Sequence, residues 1–184
     1  MRKVIVSVFV TLDGVQDDPQ EWSLEYFTEE YGGYARDQLF AADALLMGRV
    51  TYQGFAESWP SITDEGSPQE GFADRINTMP KYVASTTLRE LAWTNSRLIE
   101  GDVVDAVRTL KRQPGLDILM YGCGDLARLL ARQGLVDEIR LWIHPVVLGR
   151  GEHLFTGWSE TRMRLAGTRT FGSGVVVQTH EPLR

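Results

Sequence analysis

Apolar positions fall into short β-type runs that alternate with stretches of helical spacing, and beyond about residue 133 the helical spacing stops. Val4-Ile5-Val6-Ser7-Val8-Phe9-Val10 is a nearly unbroken β-branched run, as a central strand covered on both faces requires. Asp13-Gly14 ends it with a turn signal. Thr28 suits the N-cap of a helix on which Tyr31, Ala35 and Leu39 recur at four-residue spacing along one face. Ala44-Leu45-Leu46-Met47 predicts a buried strand, and Gly48 opens a helix to about Glu57. Lys81 to Ser85 predicts another short strand. Asp102 caps a helix carrying Val103, Val107 and Leu110, closed by Pro114-Gly115. Asp117 to Tyr121 predicts a strand, followed by Gly122-Cys123-Gly124 and a helix with Leu126, Leu129 and Leu130 that stops near Gly134. From Glu138 to His144 the residues alternate, placing Ile139, Leu141 and Ile143 on one face and Arg140, Trp142 and His144 on a more polar one. Met163 to Phe171 and Val175 to His180 read as a hairpin joined by Gly172-Ser173-Gly174.

Alternating strand and helix followed by a terminal hairpin predicts an α/β three-layer fold. Its mixed sheet is mostly parallel, with an antiparallel C-terminal hairpin. The 184 residues suit one domain spanning 1–184. The most loop-like stretch, Trp59 to Gly71, is too short to divide it. A formal net charge of −6, with basic residues scattered, argues against nucleic acid as a partner. The single cysteine, Cys123, excludes an internal disulfide and a cysteine-rich zinc site, and fits a reducing cytoplasm. Met1-Arg2-Lys3 before Val4 to Val10 faintly imitates a signal peptide, but the run is short, valine-rich and ends at Asp13-Gly14, so a first strand is expected. No apolar stretch approaches the roughly 18 to 20 residues that cross a bilayer. A protein without membrane association is expected.

Two glycine-bearing loops occupy the same setting between a strand end and a helix start: Met47-Gly48-Arg49-Val50-Thr51-Tyr52 and Tyr121-Gly122-Cys123-Gly124-Asp125-Leu126. In an open α/β sheet, ligands bind beyond the carboxyl ends of the strands. A helix N-terminus there offers free N–H groups and a partial positive charge, which suits phosphate. Two such loops, with Arg49 and Thr51 at the first, point to a ligand with two separated phosphate groups. The second loop also matches G-x-G-x-x-A through Gly122, Gly124 and Ala127, but no further βαβ unit follows. Asp137 and Glu138 also stand at the wrong end of the next strand to meet a ribose, so a Rossmann dinucleotide fold is rejected.

Ala44-Leu-Leu-Met-Gly-Arg-Val-Thr-Tyr, Val83-Ala-Ser-Thr and Gly122-Cys-Gly with Leu126 together resemble the dihydrofolate reductase superfamily. Thr11-Leu-Asp-Gly, Leu135-Val-Asp-Glu-Ile-Arg-Leu, His144-Pro-Val-Val-Leu-Gly-Arg-Gly and Leu154-Phe155 resemble its riboflavin-biosynthesis pyrimidine reductase branch. The resemblance implies an NADPH-dependent reductase acting on a small, pterin-like or pyrimidine-like heterocycle. The loops Gly48, Arg49, Val50, Thr51 and Gly122, Cys123, Gly124, Asp125, Leu126 would hold the cofactor's phosphates from two sides. Arg49 with Ser85 and Thr86 would meet the 2′-phosphate, and the nicotinamide would lie near Leu12-Asp13-Gly14. The family often has consecutive glycines at the second loop, where a cis peptide is tolerated. Cys123 leaves open whether the Gly122–Cys123 bond is trans here or a strained cis form.

Asp13 is either a turn residue or, by the resemblance, a catalytic group bordering the nicotinamide. Leu12, Trp22, Phe27 and Phe55 are candidates for the substrate pocket; for the three rings, core packing is the favoured alternative. The family's folate reduction uses a carboxyl on the first helix, and none of Glu21, Glu25, Glu29 or Glu30 aligns with it. His144, His153 and His180 show no ligand spacing, so no metal is expected. A non-catalytic nucleotide-binding module on the same fold is the alternative. A nucleobase deaminase is excluded by the lone cysteine. A homodimer is expected from the branch it resembles and from Trp142 and His144 on the polar strand face, where an indole would need cover.

Overall fold

The computed structural model describes residues 1–183. Why Val4 to Val10 lacks polar alternation is visible at once: it is the heart of a strand, β1 (Val4–Thr11), with helices on both sides. Val4, Val6 and Val8 enter one cluster and Ile5 the other. The remaining strands are β2 (Ala42–Gly48), β3 (Lys81–Ala84), β4 (Ser96–Leu98), β5 (Asp117–Tyr121), β6 (Glu138–His144), β7 (Met163–Thr170) and β8 (Val176–Pro182). Among the described residues they form one sheet in the order β4-β3-β2-β5-β1-β6-β8-β7. Pairing is parallel from β4 to β6 and antiparallel at β6–β8 and β8–β7.

Helices α2 (Glu29–Phe40), α3 (Arg49–Ser58) and α4 (Phe72–Thr78) cover one face, packing Leu39, Tyr52 and Ile76 against Ile5, Leu45 and Met47. Helices α5 (Val103–Arg112) and α6 (Asp125–Arg132) cover the other, with Val107, Leu110, Ala127 and Leu130 against Val6, Ala44 and Ile118. The caps fall where side-chain chemistry places them: Thr28 accepts from the N–H of Tyr31, and Asp102 from that of Asp105. Helix α1 (Pro19–Trp22) is a single turn.

Three elements escape the sequence pattern. Helices α1 and α4 are too short to show a period, and β4 has three residues without a β-branched side chain. A further expectation is corrected. Trp142 and His144 do not face a polar surface; they are 1% and 0% exposed. Tyr31, Tyr34, Phe9 and Phe171 stack around the Trp142 ring at centroid distances of 4.8, 5.2, 5.4 and 5.9 Å. Helix α2 and the C-terminal hairpin of the same chain supply the cover, so this indole gives no reason to invoke a second copy.

Buried charge collects at the amino ends of the parallel strands. Arg2 pairs with Asp43, Lys111 with Asp137, and Arg140 with Glu138 at 2.6 Å. Lys81, wholly buried at the start of β3, has no carboxylate partner among the described residues. Its ammonium donates to the carbonyls of Asn77 (2.7 Å), Met79 (2.9 Å) and Thr94 (2.9 Å) and lies 4.3 Å from the centre of the Trp93 ring. It therefore fastens the end of α4 and the approach to β4 onto the sheet. Lys81→Met leaves three carbonyls without that donor and should cost about 2–4 kcal/mol of stability. Chemical denaturation should show this as a lower midpoint with an unchanged slope.

Candidate functional site

Parallel pairing brings the carboxyl ends of β3, β2, β5, β1 and β6 to one edge. Gly48 at the end of β2 is in register with Ala84 at the end of β3, so Arg49 and Ser85 leave neighbouring strand ends side by side. A Cβ on Gly48 would lie 3.9 Å from Leu126 Cβ, and one on Gly122 would lie 3.9 Å from Thr51 Oγ1. The two glycine loops thus meet. Each is followed by a helix whose N-cap is glycine without a side-chain cap, so the first-turn N–H groups of α3 and α6 stay available. The first turn of α3 has no acidic residue, while in α6 Asp125 is paired with Arg128 at 2.5 Å.

Gly122 turns with φ +80°, a conformation glycine adopts without strain, and its N–H donates to the Ser7 carbonyl. No cis peptide bond occurs among the described residues, so the Gly122–Cys123 bond is trans. Cys123 points inward, 4% exposed, and burial pushes its thiol up to about 12. A neutral thiol in an apolar cluster is packing, not a nucleophile. At the first loop Val50 is 74% exposed, and Arg49 is exposed with Nη1 donating to Gln53 Oε1 at 3.1 Å. Ser85 Oγ accepts from the N–H groups of Thr87 and Leu88 at 3.2 and 3.0 Å and lies 3.4 Å from the Thr87 hydroxyl, with Thr86 exposed beside it.

Unequal strand lengths shape the centre of the edge. β5 pairs with β1 only as far as Tyr121 opposite Ser7, whereas β1 continues beside β6 to Thr11 opposite His144. Residues Val8 to Thr11 therefore have no strand on their β5 side. The result is a break in the strand pairing, a slot in the sheet's ladder next to the Gly122 loop. Two grooves of about 240 and 410 Å³ lie elsewhere, beside Arg128 and Trp158 and beside Arg36 and Pro68. The glycine loops line neither of these grooves.

Asp13 sits beyond the slot, where its carboxylate accepts from the Thr11 hydroxyl (2.6 Å) and the N–H groups of Gly149 (2.7 Å) and Leu148 (3.2 Å). The Thr11 bond first, then Gly149, holds it down to about 2. Such a group stays ionised near neutral pH and ties a loop; it has no proton to give. Leu12 next to it is 65% exposed. The three candidate rings do not form one wall. Trp22, 6% exposed, stands edge-on to His144 at 5.1 Å, and Phe27 packs on Tyr31 at 5.2 Å. Phe55 belongs to another group, with Tyr121 at 5.4 Å and Trp93 at 6.4 Å.

Sequence reasoning missed a polar network beneath α2. Gln38 Nε2 and Trp142 Nε1 donate to Ser7 Oγ at 2.9 and 3.0 Å, and Arg140 Nη1 donates to Gln38 Oε1 at 3.3 Å. The available signal was Ser7 itself, one hydroxyl inside an otherwise apolar run.

His144 lies at the end of β6 in a ring cage of Phe9, Trp22, Tyr26 and Tyr31. Nδ1 donates to the Trp142 carbonyl at 2.8 Å, which leaves Nε2 as an acceptor 3.4 Å from the Tyr31 hydroxyl. Burial lowers its pKa below 6.5, and raises those of the facing Tyr26 and Tyr31 hydroxyls, which stay protonated. The unfolded chain thus takes up a proton near pH 6.5 that the folded chain refuses. This contribution to stability is fully present above that pH and is lost as pH falls through the lowered value. Thermal unfolding between pH 8 and 5 should show an acid-side decline that is shallower in His144→Gln; parallel declines would assign the effect to other groups.

The family model of the RibD C-terminal domain matches residues 2–177. The Bacillus subtilis (strain 168) protein YyaP, described as uncharacterized, is 34% identical over 179 residues, covering 95% of this chain and 92% of its own. Among solved structures, a Shewanella sp. PV-4 protein assigned to riboflavin biosynthesis superposes with a TM-score of 0.75 at 22% identity, over 99% of both chains. A diaminohydroxyphosphoribosylaminopyrimidine deaminase/5-amino-6-(5-phosphoribosylamino)uracil reductase of Thermotoga maritima gives 0.68 at 15% identity. That likeness covers 99% of this chain but 57% of the Thermotoga chain, and both structural likenesses speak to fold alone.

Proposed function

This chain belongs to the RibD C-terminal domain family, and on that footing we propose that it is an NADPH-dependent reductase of a small heterocyclic substrate. The observation that carries the reading is the meeting of two uncapped helix N-termini at one rim, with the slot beside them. Thr51 and the backbone from Gly122 to Leu126 would hold the pyrophosphate, where N–H groups and helix dipoles favour negative charge. Arg49, Ser85 and Thr86 would hold the 2′-phosphate; guanidinium and hydroxyl donors suit a dianion. Strands lie about 4.8 Å apart, so the rim from β3 to β1 offers roughly 14 Å along which a dinucleotide can extend. Its ring end then reaches the slot beside Val8 to Thr11.

Bound there, the cofactor would supply the hydride. The chain's own part is to orient that ring and to seal one side with Cys123, Ala127 and α6. With α6 on that side, the acceptor would take the opposite face, toward α2 and α3. The name of the Thermotoga relative, a 5-amino-6-(5-phosphoribosylamino)uracil reductase, agrees with a substrate that carries a heterocycle.

The test is paired titration of NADPH and NADH, read by quenching of the five tryptophans. NADPH should bind more tightly, and equal affinities would remove the 2′-phosphate assignment. Arg49→Ala should weaken NADPH by about 10- to 150-fold, from a charge-assisted contact of roughly 1.5–3 kcal/mol, and leave NADH unchanged. An equal loss for both cofactors would move Arg49 to the pyrophosphate.

We also propose that two copies associate through β7. This edge strand is exposed along its length after Met163, and Leu165 is 52% exposed. Unpaired strand edges are templates for pairing. Light scattering at micromolar concentration should give twice the mass of one chain; a monomer overturns this.

A further inference from the structure

Most polar groups beneath α2 are matched. Ser7 Oγ receives two donors, Gln38 uses both ends of its amide, and Arg140 Nε donates to Glu138. The Tyr121 hydroxyl is the exception. It is shut off from solvent and lies beside the Gln38 side chain without forming a hydrogen bond of normal geometry, with Arg140 also near. Other buried polar atoms without partners, on Arg75, Ser96 and Ser173, lie on α4, β4 and the hairpin turn, away from the slot. Tyr121 is instead the last residue of β5, directly before Gly122, where β1 and β5 part. Its ring rests on Phe55 of α3 at 5.4 Å, and its register opposite Ser7 places it on the α2 and α3 face.

A buried phenol without an acceptor forfeits a hydrogen bond it would make in water, which folded proteins tolerate at few positions. Resting on the reading that the substrate meets the slot from the α2 side, we propose that the Tyr121 hydroxyl is the donor that receives a carbonyl oxygen of the substrate. Burial raises its pKa, so it stays protonated. Its surroundings also narrow the substrate class. Glu21, Glu25, Glu29, Glu30 and Asp37, the carboxylates in and just before α2, are all exposed, and the buried Glu138 is engaged by Arg140 and Lys3. Among the described residues, none of these carboxylates is both buried there and free to meet a cationic or amidine-like ring. With Gln38 and Arg140 already engaged, the phenol O–H is the group left to meet a ligand, and it favours a ring carbonyl over a ring amine. A ligand reaches the hydroxyl by displacing a covering side chain, and such contacts commonly tighten only in the complex.

The experiment uses two rings of the same shape with opposite hydrogen-bonding edges, uracil and 2,4-diaminopyrimidine, titrated into the full chain with and without NADPH. Wild type should favour uracil. Tyr121→Phe keeps the ring and should weaken uracil about threefold to tenfold, leave NADPH affinity unchanged, and leave Tm unchanged or higher, since no internal bond is lost. Failure of wild type to bind uracil, or equal binding by the variant, overturns the proposal. So does a fall in Tm of more than about 4 °C, which would show that the hydroxyl already has a structural partner. Should NADPH fail to bind wild type while Tyr121→Phe still loses uracil selectively, the cofactor reading falls and Tyr121 stands.

Discussion

Parallel pairing is the constraint on which this molecule depends. Once β3, β2, β5, β1 and β6 run the same way, their carboxyl ends must share an edge, and each connection to the next helix must begin there. Gly48 and Gly122 sit at two of those connections, so the meeting of two helix N-termini at one rim follows from the direction of the strands before any side chain is chosen. The early end of β5 then leaves the last four residues of β1 without a strand on that side, next to the Gly122 loop.

The opposite edge has a complementary character. Arg2–Asp43, Lys111–Asp137 and the wholly buried Lys81 fasten the amino ends of the strands with charge. Buried pairs of this kind add little net stability over apolar substitutes, yet removing one partner is costly because the other is stranded. They tie strand and helix ends together along that edge. An edge tied by charge and an edge left open with backbone N–H groups divide the sheet into an anchoring half and a receiving half.

Much of this was legible in the chain. β5 and β6 fall at their expected residues, and Thr28 and Asp102 cap the helices assigned to them, because β-branched runs and capping side chains act locally. α4 and β4 were illegible because seven and three residues cannot show a period. The burial of Trp142 was illegible for a different reason: its cover comes from α2 and Phe171, remote in sequence, and alternation says only that two faces differ. At the rim, the glycines were legible as turns. Asp13 illustrates the limit, since only the fold shows that its carboxylate is occupied by Leu148 and Gly149. Tyr121 looked like an ordinary strand end until its hydroxyl was seen to lack a partner.

Cys123 carries a consequence for how the rim can be observed. The chain has one thiol, and it lies under the backbone of the Gly122 loop, held protonated by its apolar surroundings. Only the thiolate reacts quickly with alkylating reagents, so the closed loop is nearly silent to them. Labelling must wait for the loop to lift, and its rate counts those openings. An anion that settles on the loop's N–H groups would slow the clock without touching sulfur. The protein therefore carries a native stopwatch for the motion of its own glycine turn.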